Sequence, residues 1–228
     1  MATPTVENYL KAMLALTKSA GAVTVSDLSA ELGVSKPTAN NMIRRLSERG
    51  LIHYEKYRPL QLTESGRRQA GLVVRKHRLT EMYLVEKMGF GWEEVHPIAE
   101  QIEHIDSPAF FERMDALLGS PAFDPHGSPI PDREGNLPQR MREKLSDCKS
   151  GDTAILTGLN HSSADFLRYL DEKELTLGTV MKVEEVEPYD KSVRLSYGGN
   201  EVTLPETTAQ QLFIVRPSRA PSSGSATK

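Results

Sequence analysis

Between Glu7 and Ala20 the apolar residues Tyr9, Leu10, Met13, Leu14 and Leu16 recur at close to the helical period, and Gly21 closes the run. The pattern predicts a first helix. Thr24-Val-Ser-Asp27 has the form of a capping box ahead of Leu28, Leu32 and Gly33, which predicts a short second helix. Ser35 as N-cap and Pro37 in the first turn open a third, with Ala39, Met42, Ile43 and Leu46 on its inner face and Gly50 as its stop. Leu51 to Leu62 then predicts two short strands about the basic turn Lys56-Tyr57-Arg58-Pro59. Thr63 is suited to cap a long fourth helix reaching about Met88. A fifth begins near Glu93 or Pro97 and runs to about Ile105, and a sixth extends from Ser107 to Leu118.

Five prolines and three glycines between Gly119 and Pro138 mark a linker. Beyond it the apolar stretches Ala154–Leu159, Gly178–Val186, Val193–Ser196, Glu201–Leu204 and Leu212–Val215, separated by turns, predict a small antiparallel barrel. The Ser-, Pro- and Gly-rich tail, residues 218–228, is expected to be disordered.

Composition narrows the class. The 228 residues include a single cysteine, Cys148, which excludes a disulfide framework and any CxxC motif and favours a reducing compartment. No apolar run approaches the roughly 20 residues of a membrane span, and the N-terminal MATPTVENYLK lacks the pattern of a signal peptide. A cytoplasmic protein with no membrane partner is expected. The net charge of -3 conceals an asymmetry: residues 1–90 carry 14 Lys and Arg against 8 Asp and Glu, and the remainder 14 against 23. A basic N-terminal part suits an anionic partner.

Three helices followed by a basic hairpin is the order of a winged helix-turn-helix, whose third helix enters the major groove of double-stranded DNA. On that helix Thr38, Asn41 and Arg45 lie opposite the apolar face, with Lys36, Asn40 and Arg44 in the neighbouring row and Ser35 and Pro37 at its start. Asn can pair with adenine through two hydrogen bonds, and Lys and Arg hold phosphates, as Lys56 and Arg58 of the wing would. A second constellation is His96, Glu100, Glu103 and His104, spaced to fall near one face of the fifth helix, with His77 and Glu81 one turn apart on the fourth. Imidazole and carboxylate without thiolate suit a harder divalent ion such as Mn(II) or Fe(II) better than structural zinc. Because the ligands must lose their protons, such a site should weaken below about pH 6. The spacing is not HExxH, and neither a nucleophile elbow nor a phosphate-binding glycine loop is present. Two other readings remain open: a metal-dependent hydrolase with Glu103 as base beside His104, and a winged-helix sensor of organic ligands or oxidants.

The phrases VENYLKAM, VSKPTANNMIRRLSERGLI, YEKYRPLQLTESG, RKHRLTE, VHPIAEQIEH and FDPHGSPIP, in this order, resemble the DtxR/MntR family of metal-dependent transcription regulators over about residues 4–216. The resemblance implies a mainly α fold with β: a winged helix-turn-helix over 1–70, a helical dimerisation and metal-binding domain with its Pro-rich linker over 71–140, and an SH3-like domain over 141–217. It implies a homodimer binding palindromic operators of metal-uptake genes, with Mn(II), or alternatively Fe(II), as corepressor. A primary metal site would use Asn8, Glu100, Glu103 and His104. An ancillary site would use His77, Glu81 and His96, with Asp124, His126 and Asp165 as further candidates. Iron-type members have Cys where Glu100 stands and Met where Asn8 stands, whereas manganese-type members have carboxylates at both. Glu100 follows the manganese pattern and Asn8 departs from it. Lys11 replaces the acid with which small manganese members build a two-metal cluster.

Overall fold

The structure, a computed structural model, describes residues 3–138, 142–160 and 162–217, with residues 18–20 described by their backbone alone. The tail expected to be disordered lies outside the described residues. The chain divides into two compact units, 1–125 with 129–139, and 126–128 with 140–228.

The first unit opens with α1, Pro4–Ala20, which starts earlier than the apolar period indicates. Pro4 takes the first position, where its missing N–H costs nothing, and the Thr3 hydroxyl accepts from the Val6 N–H. The capping box before α2, Val25–Glu31, forms as its sequence predicts: Thr24 Oγ1 accepts from the Asp27 N–H at 3.2 Å and Asp27 Oδ2 from the Thr24 N–H at 2.9 Å. Helix α3, Lys36–Glu48, buries Ala39, Ile43 and Leu46 against α1 residues Leu10 and Met13 and against Leu28, in one hydrophobic core. Two-residue strands β1, Ile52–His53, and β2, Gln61–Leu62, pair antiparallel and form the wing.

The long helix α4, Glu64–Met88, is capped by Thr63 and ended by Gly89 in the left-handed conformation. It crosses residue 70 without interruption, contributing Ala70 to the core of the winged helix and Leu79 to a second core with Phe111, Met114 and Ile130. Gly71 on this helix is required by close approach: a Cβ there would lie 1.8 Å from the carbonyl oxygen of Gly135. Helix α5, Val95–Ile102, and helix α6, Pro108–Leu117, follow. The fifth helix therefore stops short of the expected Ile105. Its last turn tightens through the Ile105 N–H to Ile102 carbonyl bond at 3.0 Å as the chain reverses toward Pro108, so Glu103 becomes its C-cap and His104 lies in the turn.

The second unit is a six-stranded antiparallel sheet in the order β3-β8-β4-β5-β6-β7, comprising Glu143–Lys144, Thr153–Leu159, Val180–Val186, Val193–Tyr197, Asn200–Leu204 and Leu212–Val215 as β3 to β8 in chain order. Its inward residues, among them Leu156, Met181, Val183, Leu195 and Ile214, are fully or almost fully buried. The alternating pattern identified the five longer strands. It missed β3, the helix α7, Ala164–Asp171, and the single turn α8, Glu206–Ala209. Ser163 caps α7, which buries Leu167 and Leu170. Cys148 is buried here, and burial pushes its thiol pKa up, the condition of an inert thiol. No helix among the described residues is long and apolar enough to cross a membrane.

Candidate metal centre

Three helices of the first unit converge their polar side chains. Helix α4 supplies His77 and Glu81, both buried and one turn apart. Helix α5 supplies His96 and Glu100, again one turn apart, with Glu103 at its cap and His104 just beyond. Helix α1 supplies Glu7, Asn8 and Lys11 from its first two turns.

Residues expected to form two sites are joined in one network. His77 bridges two carboxylates, with Nδ1 2.6 Å from Glu103 Oε2 and Nε2 2.9 Å from Glu81 Oε1. His96 Nδ1 lies 3.1 Å from His77 Nε2, and its Nε2 lies 3.6 Å from Glu100 Oε1. His104 Nδ1 is 2.6 Å from Glu7 Oε2, which turns Nε2 toward Glu103 at 3.7 Å. A carboxylate holding one imidazole nitrogen so that the other faces a cation is the usual outer support of a metal-binding histidine. Lys11 Nζ reaches Glu100 Oε1 at 2.5 Å and both oxygens of Glu103 at 2.7 and 2.9 Å.

Four carboxylates in so small a volume demand compensation. Glu103 has no solvent exposure, and burial raises the cost of its charge, but His77 and Lys11 outweigh that and hold its pKa below the ordinary glutamate range. For His77 burial opposes the charged form, and the hydrogen bonds to Glu103 and Glu81 overcome it, raising the pKa to about 9.

The residues present fit a hard divalent cation. His77, His96 and Glu100 each place a donor atom within 4.8 Å of the others, and Glu103 and His104 extend the same set. Asn8 Oδ1 is a buried oxygen without a hydrogen-bond partner, as expected of a group held for a ligand. Oxygen and imidazole donors without sulfur suit Mn(II) or Fe(II).

Of the remaining candidates, Asp124 offers a carboxylate oxygen within 4.8 Å of one of Glu81. Asp124 is buried in the first unit and forms an ion pair with Arg78 Nε at 3.2 Å. His126 belongs to the second unit, where its carbonyl accepts from the Leu159 N–H. Asp165, in the first turn of α7, is exposed and paired with Arg168 at 2.7 Å.

Residues 1–60 match the iron dependent repressor N-terminal DNA binding domain, residues 63–132 the iron dependent repressor metal binding and dimerisation domain, and residues 143–216 the FeoA domain. A structure described as a manganese-dependent transcriptional repressor in complex with manganese is 34% identical, with a TM-score of 0.83 over 93% of this chain and 100% of that one. The chain belongs to the iron-dependent repressor family. The iron-dependent repressor IdeR of Mycobacterium tuberculosis is 37% identical over 127 residues, 56% of this chain and 55% of that protein. The diphtheria toxin repressor of Corynebacterium jeikeium is 28% identical over 79% of this chain and 76% of its own length.

Within the family's DNA-binding segment, Ser35, Lys36, Pro37, Thr38, Asn41, Arg44 and Arg45 are exposed along the outer side of α3 and its cap, and Asn40 is half-buried. Ser35 Oγ accepts from the Thr38 N–H at 3.2 Å, fixing the start of the helix. At the wing Arg58 pairs with Glu55 at 3.0 Å and Lys56 lies over the ring of Tyr57, which is almost wholly exposed. Two site residues escaped the sequence reading. Glu7 reaches His104 and Lys11 reaches Glu100 and Glu103, contacts that the sequence pattern does not mark. Both share a helical face with Asn8, and only helix packing brings that face to the cluster.

Proposed function

We propose that this protein is a metal-dependent transcriptional regulator, a homodimeric repressor that binds palindromic operators of metal-uptake genes when Mn(II) is plentiful. The observation that carries the reading is the convergence of α1 with α4 and α5 on one donor cluster, because α1 also packs into the core that holds recognition helix α3. The primary set is Glu100, Glu103, His104 and Asn8, and the ancillary set His77, Glu81 and His96. A bound divalent cation supplies concentrated positive charge and a demand for several oxygen and nitrogen donors at once.

The chain's own residues convert that demand into a DNA-binding state. Glu100, Glu103 and His104 bring the end of α5 toward α1, Asn8 offers its unpaired oxygen from α1, and Glu7 keeps His104 aligned. Leu10 and Met13, in the core beside Ile43 and Leu46, pass any shift of α1 to α3. Occupancy favours the arrangement in which these donors are satisfied together, and it shifts the equilibrium by its preference for that arrangement. Asn41 and its neighbours then read base edges while Lys36, Arg44, Arg45, Lys56 and Arg58 hold phosphates.

An apolar groove of about 500 Å³ on α4, α5 and α6, lined by Tyr83, Leu84, Met88, Ile102, Phe110 and Leu117, supports the dimer. Met88 and Leu117 are well exposed, and a second copy is the occupant that would set two recognition helices about 34 Å apart or a multiple of it. A role on the chromosome places the protein in the cytoplasm. Manganese is favoured over iron by Glu100 and by the absence of sulfur among the donors. The hydrolase reading leaves the winged helix without a use, so the protein acts by binding and not by turnover. Selection from a pool of genomic DNA with Mn(II), with anaerobic Fe(II) and with chelator tests the proposal. Enrichment of a palindrome with Mn(II) alone is expected, stronger enrichment with Fe(II) would make iron the ion, and equal enrichment in chelator would remove the metal from the mechanism.

A further inference from the structure

Lys11 sits where a cation-binding site would least be expected to place a lysine. Its Nζ lies 2.5 Å from Glu100 and 2.7 and 2.9 Å from the two oxygens of Glu103, the two carboxylates of the primary set, and 3.3 Å from His77 Nδ1. An ammonium has three donors, and here they are directed into the oxygens that a divalent ion would take. Glu103 is wholly buried, and a buried carboxylate is costly unless it is paired, so the Lys11 charge shares with His77 the task of holding it. The Lys11 side chain nevertheless keeps 20% of its surface open to solvent on a flexible four-carbon stem, and a route outward is available to it.

We propose that the Lys11 ammonium is a tethered cation that holds the primary site closed in the ion-free protein and must leave for a divalent ion to bind, so that Lys11 sets the metal concentration at which the regulator responds. The inference rests on the metal-site reading above. The ammonium and an incoming ion compete for the same oxygens of Glu100 and Glu103, and an ion seated on them would stand a few Å from a like charge. Lys11 therefore stabilises the ion-free state and weakens ion binding by the same contacts. It acts through Glu100 and Glu103, as a positioning residue whose charge is exchanged for that of the ion.

The full-length protein and its Lys11→Met and Lys11→Arg variants are compared by chelator competition for Mn(II) and by thermal unfolding without metal. Lys11→Met should bind Mn(II) about tenfold more tightly or better, since like charges a few Å apart at an effective dielectric near 20 repel by more than that factor requires. The same variant should melt at lower temperature without metal and show a larger rise in melting temperature on adding it. Lys11→Arg, which keeps the charge, should remain near the parent in both. Acetylation of Lys11 in the unaltered protein, followed by mass spectrometry, gives a readout that does not depend on a variant folding: the amine should be slow to react without metal and faster with Mn(II). Unchanged or weaker binding by Lys11→Met, or equal protection of Lys11 with and without Mn(II), would overturn the proposal while leaving the metal site standing. Failure of the parent and both variants to bind any divalent ion would overturn it together with the metal-site reading.

Discussion

His77 is the residue on which the cluster turns, because it touches Glu81, Glu103 and His96 at once. Its folded pKa of about 9 stands above the ordinary histidine value of 6.5. A raised pKa contributes stability that is complete below about 6.5 and is lost as pH rises through about 9. The ion-free protein should therefore lose stability between these limits, by at most about 3 kcal/mol. Urea unfolding in chelator from pH 6 to 10 checks this, and His77→Gln should flatten the profile; an equally steep profile in that variant would assign the effect elsewhere. The loss of metal affinity expected below about pH 6 from free imidazoles should accordingly begin at higher pH. At the other buried anchor, Glu103→Gln should abolish metal-induced stabilisation while leaving circular dichroism of the ion-free protein native-like, since the amide keeps the size of the carboxylate. Retained Mn(II) binding by that variant would remove Glu103 from the ligand set.

At the scale of elements, the helices and their caps were legible because each carries its own local instructions: the Thr24–Asp27 box, Ser35 with Pro37, Thr63, and the apolar stripes they introduce. The shortening of α5 was not legible, since a tertiary demand to reverse toward α6 overrode the period that continued to Ile105. The site was half legible for a related reason. Spacing along α4 and α5 reveals His77, Glu81, His96 and Glu100, but Glu7 and Lys11 join them only by helix packing, which no period announces. The β3 pair and α7 escaped because two residues carry no alternation, and because Leu167 and Leu170 are too few to mark a helix even behind the Ser163 cap. Two predictions belong here. Gly71→Ala drives a Cβ into the Gly135 carbonyl, so it should destabilise the first unit by about 1–3 kcal/mol, measurable by calorimetry. Asn41→Ala on α3 should cost about 1–3 kcal/mol on the cognate operator and little on random DNA. Equal losses on both in a binding titration at fixed salt would make Asn41 a phosphate-positioning residue.

At the scale of the molecule three surfaces act together in the proposed mechanism: a basic DNA face, a donor cluster on α1, α4 and α5, and the apolar groove of α4, α5 and α6. Leu117→Glu places a charge on an exposed residue of that groove and should yield a folded monomer in analytical ultracentrifugation, with Mn(II) binding retained and palindrome binding greatly weakened. A variant that remained dimeric would place the subunit contact elsewhere. The central claim is that an ion in the α1–α4–α5 cluster governs DNA binding. The most direct test is one titration of the protein onto its selected palindrome at fixed salt, with Mn(II), with anaerobic Fe(II) and with chelator, beside Glu103→Gln under the same conditions. Tight binding by the parent with Mn(II), weak binding in chelator, and weak binding by the variant throughout are expected. Equal affinity for the palindrome in chelator and in Mn(II) would contradict control by the ion.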